Sequence, residues 1–587
     1  MTGADLGVWP ADDRAADVAV VVTGADALAA ADQHLAGLVT DRVASRIAGG
    51  DPTLWGDAAV ADASVRLGWT GLPDSSRPLV EPITQLRAEL LAEGVDRVVL
   101  CGMGGSSLAP EVITAAFGTE LVVLDSTDPA TVRAALADLA RTVVVVSSKS
   151  GSTLETDSQR RAFAAAFTAA GIDPSRRIVV VTDPGSALEE VARQGGYRAI
   201  FGADPNVGGR FSALTAFGLV PAGLAGADIG VLLDEAAAVV DLLAEDSEAN
   251  PALILGAVLG GSHRGGGAHG PIRDKLIFTD LGSGLPGFAN WAEQLIAEST
   301  GKEGTGLLPV VTATVSAPEL LDPTDDAIII RLLPAGEEAV PTGEPAGQPS
   351  TGLSAGSSPG PADAAAGLSV SGPLGAQLLL WEYAVVIAGR LLSINPFDQP
   401  DVESAKRAAR GLLSPRPGSS LVNGLDPAAA VDGAVEIRAT PGLLAAPSTL
   451  EAALAALLAV LPPRGYLGVM AYLDRLGEAR LAEIRDPLAA RAQRPVTFGW
   501  GPRFLHSTGQ FHKGGPPVGV YLQITGGSDE DLEVPGQPFT FAALIAAQAA
   551  GDAKVLAAAG RPVLRLHLTD REAGLAQIVS ILSRVAV

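Results

Sequence analysis

The chain has 587 residues, 66 acidic against 41 basic side chains, and a net charge of −25. The length exceeds one compact core and predicts two or more domains; 47% hydrophobic and 18% charged residues exclude global disorder. The acidic balance argues against nucleic acid or anionic membranes as main partners, leaving room for a phosphorylated ligand in a locally positive pocket, and the single cysteine, Cys101, excludes an intramolecular disulfide and points to a reducing, cytoplasmic interior.

The N-terminus, MTGADLGVWPADDR, has neither a basic n-region nor an apolar h-region, so no secretory signal is expected. Residues 1–65 read as an Ala-rich helical segment, with one apolar helix face over 28–47. A helix at 83–93 leads to a strand at 97–101. Strands then alternate with helices: 121–124, 129–139, 142–146, 155–170, 178–181, 186–194 and 197–201. Continuous Val/Ile runs between helices predict a parallel sheet covered on both faces, giving a first α/β domain over 66–240.

Residues 212–320 read as mostly helical, with a Gly/His patch at 261–270 and a short strand at 275–278. The Pro/Gly/Ser/Ala tract at 334–373 reads as a disordered surface insertion without catalytic content. The apolar stretch 374–394 is interrupted by Glu382 and Arg390, so it is expected to be a buried helix and no membrane span. After residue 412 a second α/β pattern begins: helix 449–460, strand 465–472, helix 477–492, strand 495–499, then a closing strand and helices. The predicted class is α/β, with two three-layer αβα domains, the second covering 241–587 and carrying the insertion.

Two loops can hold a phosphate. Gly102-Met103-Gly104-Gly105-Ser106-Ser107 joins a strand to a helix, where glycines let backbone approach an anion and the helix start offers free N–H groups. It lacks the Gly-Lys-Ser/Thr of a Walker A loop and the spacing of a dinucleotide fingerprint. The second loop, Ser147-Ser148-Lys149-Ser150-Gly151-Ser152-Thr153-Leu154-Glu155-Thr156, crowds hydroxyls and a lysine at a helix start. A cap needs one hydroxyl, whereas hydroxyls, N–H groups and a cation together suit a phosphate monoester. His263 and His269 lie in a Gly-rich loop without Cys or paired acids, so no metal site and no cofactor is expected. Cys101 ends a buried strand and reads as core.

These loops, with Gly208-Gly209-Arg210-Phe211-Ser212, resemble the sugar-isomerase (SIS) fold as used by the phosphoglucose isomerase family. Gln294-Leu295-Ile296-Ala297-Glu298-Ser299-Thr300-Gly301-Lys302 resembles the segment bearing that family's glutamate. Ile394-Asn395-Pro396-Phe397-Asp398-Gln399-Pro400-Asp401-Val402-Glu403, followed by Lys406, resembles the segment bearing its lysine. The resemblance is to an actinobacterial and cyanobacterial branch, some of whose members are fused to transaldolase; no transaldolase portion occurs in this sequence. One departure stands out. The family's ring-opening histidine normally lies between those two segments, and here the matching run, Phe504-Leu505-His506-Ser507-Thr508-Gly509-Gln510, follows the lysine. The C-terminal region must then fold back, or a second subunit must supply the residue; His512 is the nearby competitor.

The resemblance implies reversible interconversion of glucose 6-phosphate and fructose 6-phosphate through a cis-enediol, in glycolysis and gluconeogenesis. It assigns the base to Glu298, charge stabilisation to Arg210, and ring opening to His506 and Lys406. Gly105, Ser106, Ser148, Lys149, Ser150, Ser152, Thr153, Thr156, Gly209, Gln294 and Gln399 would bind substrate. The residue types suit the chemistry: proton transfer between carbons needs a carboxylate, and developing enediolate charge needs a permanent cation. The family also implies a homodimer in which each active site borrows a residue from the partner. Three alternatives are additional action on mannose 6-phosphate, an amino-transfer enzyme, and a non-catalytic sugar-phosphate sensor. Glutamine-dependent amino-transfer members need an N-terminal cysteine, where residue 2 here is threonine. Sensors of this fold usually attach a basic DNA-binding domain, which the acidic N-terminal segment does not offer.

Overall fold

In the computed structural model the described residues are 7–9, 18–263, 272–336, 366–413, 428–444 and 448–584, with backbone only at 7–9 and 402–406. The Val/Ile runs form a five-stranded sheet, all parallel. Its spatial order is Val122–Leu124, Arg97–Cys101, Thr142–Ser147, Ile178–Thr182, Ala199–Gly202. Every residue from Thr142 to Ser147 is buried because helices cover both faces, which is why the run is continuous where a half-exposed strand would alternate. Strand C-termini in such a sheet point their following loops to one edge, and both candidate phosphate loops sit there.

The α/β class with mainly parallel sheets is as expected, but the described residues form three sheets. The region 241–587 holds one of them whole and four of the six strands of another. The second sheet runs Gly7–Trp9, Ala19–Thr23, Gly367–Ser371, Ala327–Leu333, Lys275–Asp280, Leu308–Val311, and its first three strands pair antiparallel. The third runs Ala430–Asp432, Val435–Ala439, Val563–Leu568, Gly519–Gly526, Tyr466–Tyr472, Val496–Trp500, with an antiparallel edge and a parallel remainder.

Three local expectations need correction. The N-terminal segment is not only helical: Ala19–Thr23 is a strand of the second sheet, and the expected helix over 28–47 is two helices, Ala25–Thr40 and Val43–Ala48, broken at Arg42 (φ +56°). The tract 334–373 is not wholly an insertion. Residues 337–365 lie outside the described residues, but Gly367–Ser371 is a fully buried strand in the interior of the second sheet. The expected helix over 477–492 is a 3₁₀ segment, Ala479–Ile484, followed by a helix, Arg485–Ala492. The apolar helix Leu374–Leu392 is buried from Leu374 to Gly389, as its composition predicts.

The third sheet's unit is fastened to the first by charges at the strand ends. Arg503 binds Asp125 (2.6 Å) and Glu111, Arg475 binds Glu111 (2.7 Å), and Arg571 binds Asp128 (2.6 Å). Burial alone would raise the Glu111 carboxyl, but Arg503 and Arg475 overcome it and hold the group down from 4.5 to about 2. A carboxyl depressed in the folded state contributes stability above its unfolded value and loses it as pH falls. The melting temperature is therefore expected to fall between pH 4.5 and pH 2, with a shallower fall in Glu111→Gln; differential scanning calorimetry across that range tests it.

Candidate active site

The first Gly-rich turn leaves the Arg97–Cys101 strand and forms a 3₁₀ turn, Gly104–Ser106, before the helix Leu108–Ala116. Its glycines are required by contact. A Cβ on Gly105 would lie 1.9 Å from the carbonyl oxygen of Gly209, so the turns at 102–107 and 208–211 meet backbone to backbone. Gly105→Ala is expected to push those turns apart and cost about 10²-fold or more in kcat/KM, as misplacement by an ångström can. Gly37→Ala, at a helix position open to solvent space, should leave it unchanged; steady-state turnover of the two variants provides the comparison.

The hydroxyl-rich turn follows Thr142–Ser147 and opens the sixteen-residue helix Leu154–Ala169. Ser148 Oγ donates to Thr153 Oγ1 (3.1 Å), and Ser150 and Ser152 hydroxyls lie 2.7 Å apart. The helix start and these hydroxyls face a cavity of about 480 Å³. Lys149 lines it too, with its ammonium 2.8 Å from Asp183 Oδ2. Arg66 and Arg410 add positive charge to the wall, Arg410 lying 3.4 Å from the Ser152 carbonyl oxygen.

At the inner end lies the helix Phe288–Thr300, which carries Gln294 and Glu298 on one face, one turn apart. Glu298 Oε2 is 3.5 Å from Arg210 Nη1. Arg210 is buried behind the cavity wall, donating to Ser299 Oγ (2.8 Å), Gln399 Oε1 (3.2 Å) and the Asp398 carbonyl (3.1 Å). Burial pulls its guanidinium below the ordinary value, against Glu298 and Asp398. Gln294 donates to the His506 carbonyl (2.8 Å), while its buried Oε1 has no protein partner and can accept from a ligand hydroxyl.

His506 reaches the same cavity from the third sheet's unit, at the end of the 3₁₀ turn Arg503–His506. Its Nε2 is 3.2 Å from Glu155 Oε1, which also accepts from Gln548 Nε2 (2.7 Å). His512 is elsewhere: buried among Phe504, Tyr466 and Tyr521, with neither ring nitrogen hydrogen-bonded, and held well below the usual imidazole range by burial.

One cavity thus gathers Gly105, Ser106, Ser148, Lys149, Ser150, Ser152, Thr153, Gly209, Gln294, Glu298, Gln399 and His506. Thr156 is buried in the first turn of its helix and is not part of the wall. Lys406 stands on the helix Val402–Leu413, one turn before the wall residue Arg410, and its side chain lies outside the described residues. His263 ends a helix with Nε2 3.1 Å from Thr305 Oγ1, and His269 lies outside the described residues. Cys101 is buried, and desolvation pushes its thiol up, away from reactivity. No group of three or more His, Cys, Asp or Glu able to hold a metal occurs among the described residues.

Glu155, Gln548, Arg66, Arg410 and Lys302 are additions that the sequence reading did not single out. Lys302, fully buried, donates to the carbonyls of Asn395 (2.8 Å) and Asp398 (2.6 Å) and to Asp398 Oδ1 (2.7 Å), and so straps the Gln399 loop to the Glu298 helix. Burial, then Arg210, lowers its ammonium to about 8. Its signal was its place at the end of the Glu298 run; Gln548, in an Ala-rich helix, gave none.

The family described as phosphoglucose isomerase matches residues 89–305. A probable glucose-6-phosphate isomerase of Natronomonas pharaonis is 35% identical over 345 residues, 54% of this chain and 79% of the relative. The chain belongs to the phosphoglucose isomerase family. A glucose-6-phosphate isomerase of Geobacter sulfurreducens is 32% identical, covering 57% of this chain and 68% of its own length. Among solved structures, a hypothetical protein from Thermus thermophilus superposes with a TM-score of 0.52 at 26% identity, over 66% of this chain and 97% of that one. The match at 89–305 spans the first sheet, Arg210 and Glu298 of this phosphoglucose isomerase family member, and ends before Lys406 and His506.

Proposed function

We propose that the protein interconverts glucose 6-phosphate and fructose 6-phosphate through a cis-enediol. The observation that carries this is the meeting, in one cavity, of a phosphate-type helix start at 148–153 with His506 and with Glu298, which Arg210 backs from behind the wall. Phosphate lies at the hydroxyl turn, against the Leu154–Ala169 helix start and the cations around it. His506, set by Glu155, exchanges a proton with the ring oxygen; Lys406, on the helix bearing Arg410, assists at O1. In the open chain, Glu298 takes the proton from C2 and returns it to C1, acting as base and then acid. Arg210, fixed by Ser299 and the Asp398 carbonyl, steadies the charge that develops on the enediolate oxygens. Gln294 and Gln399 hold hydroxyls. The setting this implies is the cytoplasm, in glycolysis and gluconeogenesis, and the quaternary state a homodimer.

The test is fructose 6-phosphate turnover by the purified protein, without added metal, read as glucose 6-phosphate through a coupled dehydrogenase, with mannose 6-phosphate run in parallel. Rapid production of glucose 6-phosphate is expected. Tight sugar-phosphate binding without turnover would overturn the proposal in favour of a sensor.

A further inference from the structure

The wall residues Leu505, His506, Leu544 and Gln548 come from the third sheet's unit of the same chain. That unit is not loosely placed. Its Tyr466, Tyr521, Phe504 and Phe511 share one buried apolar cluster with Ile277, Leu308 and Ile329 of the second sheet. Arg485 pairs with Glu319 (2.6 Å), both buried, and Arg494 pairs with Asp326. Toward the first sheet, the carboxylates of Asp125 and Asp128 are 2% and 0% exposed, and their arginine partners belong to the third unit. Thr127 Oγ1 meets Gln548 Oε1 at 2.6 Å, both buried. Separating this unit would strand buried carboxylates without partners and expose a shared core, a combination that marks permanent contacts within a protein and not a transient docking.

We infer that the third unit takes the place of a partner subunit: His506 acts on substrate held by its own chain, and each chain carries a complete catalytic site. This rests on the isomerase reading above. It departs from the borrowed residue that the family resemblance implies, and it holds whether the chain is monomeric or dimeric.

Complementation tests it. Glu298→Gln and His506→Asn are carried on two copies with different affinity tags, co-expressed, and purified through both tags in succession. If the histidine acted across subunits, a mixed dimer would contain one site with Glu298 and His506 both intact, and about half the native turnover would return. The expected result is that the doubly tagged species is no more active than either variant alone. Failure to recover any doubly tagged species, from a native protein active at the same concentration, supports the inference equally. Recovery toward half of native turnover overturns it. A single variant retaining native turnover by itself would instead overturn the isomerase assignment, and the inference with it.

Discussion

Glu298→Gln is expected to lower kcat by about 10²–10⁴-fold, the range that a positioned proton-transfer group supplies, with KM for fructose 6-phosphate changed far less. The substitution keeps shape and volume. It removes the one carboxylate in the cavity wall that stands beside both the buried Arg210 and the Gln294 position on the same helix face. Substrate binding is expected to depend chiefly on the hydroxyl turn at 148–153, on a different element from Glu298, so binding and chemistry should separate. Loss in kcat and kcat/KM together, without loss of binding, marks an interaction made only in the transition state. Steady-state kinetics, with loss of the native enzyme's exchange of substrate hydrogen into deuterated water, checks the assignment; a variant retaining native kcat would remove Glu298 as the base.

The two histidines should divide cleanly. His506→Gln is expected to cost on the order of 10²-fold or more in kcat. Its residual turnover should track the fraction of sugar already in open-chain form, because the ring-opening proton donor is gone. His512→Phe should leave kcat and KM nearly unchanged, since that ring lies outside the cavity wall in an aromatic cluster. Its effect should fall on stability and carry a sign. His512 is held neutral in the fold, so below its unfolded value of 6.5 the unfolded chain binds the proton and native stability is lost. Phenylalanine removes that loss, and the variant should gain melting temperature relative to native as pH drops below 6.5. Parallel kinetics and melting curves at pH 8 and pH 5.5 distinguish the roles; loss of turnover in His512→Phe with normal turnover in His506→Gln would reverse the assignment.

The parallel first sheet was legible because its strands are doubly buried, and double burial writes an unbroken Val/Ile run into the sequence. The strand at Gly367–Ser371 was not. Its serines alternate with Leu368 and Val370 and are buried as well, so neither a continuous apolar run nor a polar face announces it, and the neighbouring Pro/Gly/Ser composition hides five residues of strand. The three-sheet division was missed for a related reason: loops connecting the second and third sheets look, in one dimension, like the loops within either. The candidate site was read through short motifs that chemistry constrains residue by residue, hence the gathering of Glu298, Gln294, Gln399 and both phosphate-type turns in one cavity. Glu155 stands in the hydroxyl-rich run, but its reach to His506 and Gln548 depends on two segments about 350 and 390 residues away. The choice between His506 and His512, open at the level of residue type, turned on which ring faces apolar neighbours.

The pairing of Ala19–Thr23 with Gly367–Ser371 fixes the order in which the chain can assemble during synthesis. The first sheet is made of neighbouring segments and can form as soon as Gly202 has left the ribosome. Ala19–Thr23 emerges early and can pair at once only with Gly7–Trp9, while Gly367–Ser371 is made much later, so at typical elongation rates the earlier strand's other, apolar edge stays unpaired for roughly tens of seconds. Nascent chains halted between the two strands should accordingly be the forms of this protein most dependent on chaperones.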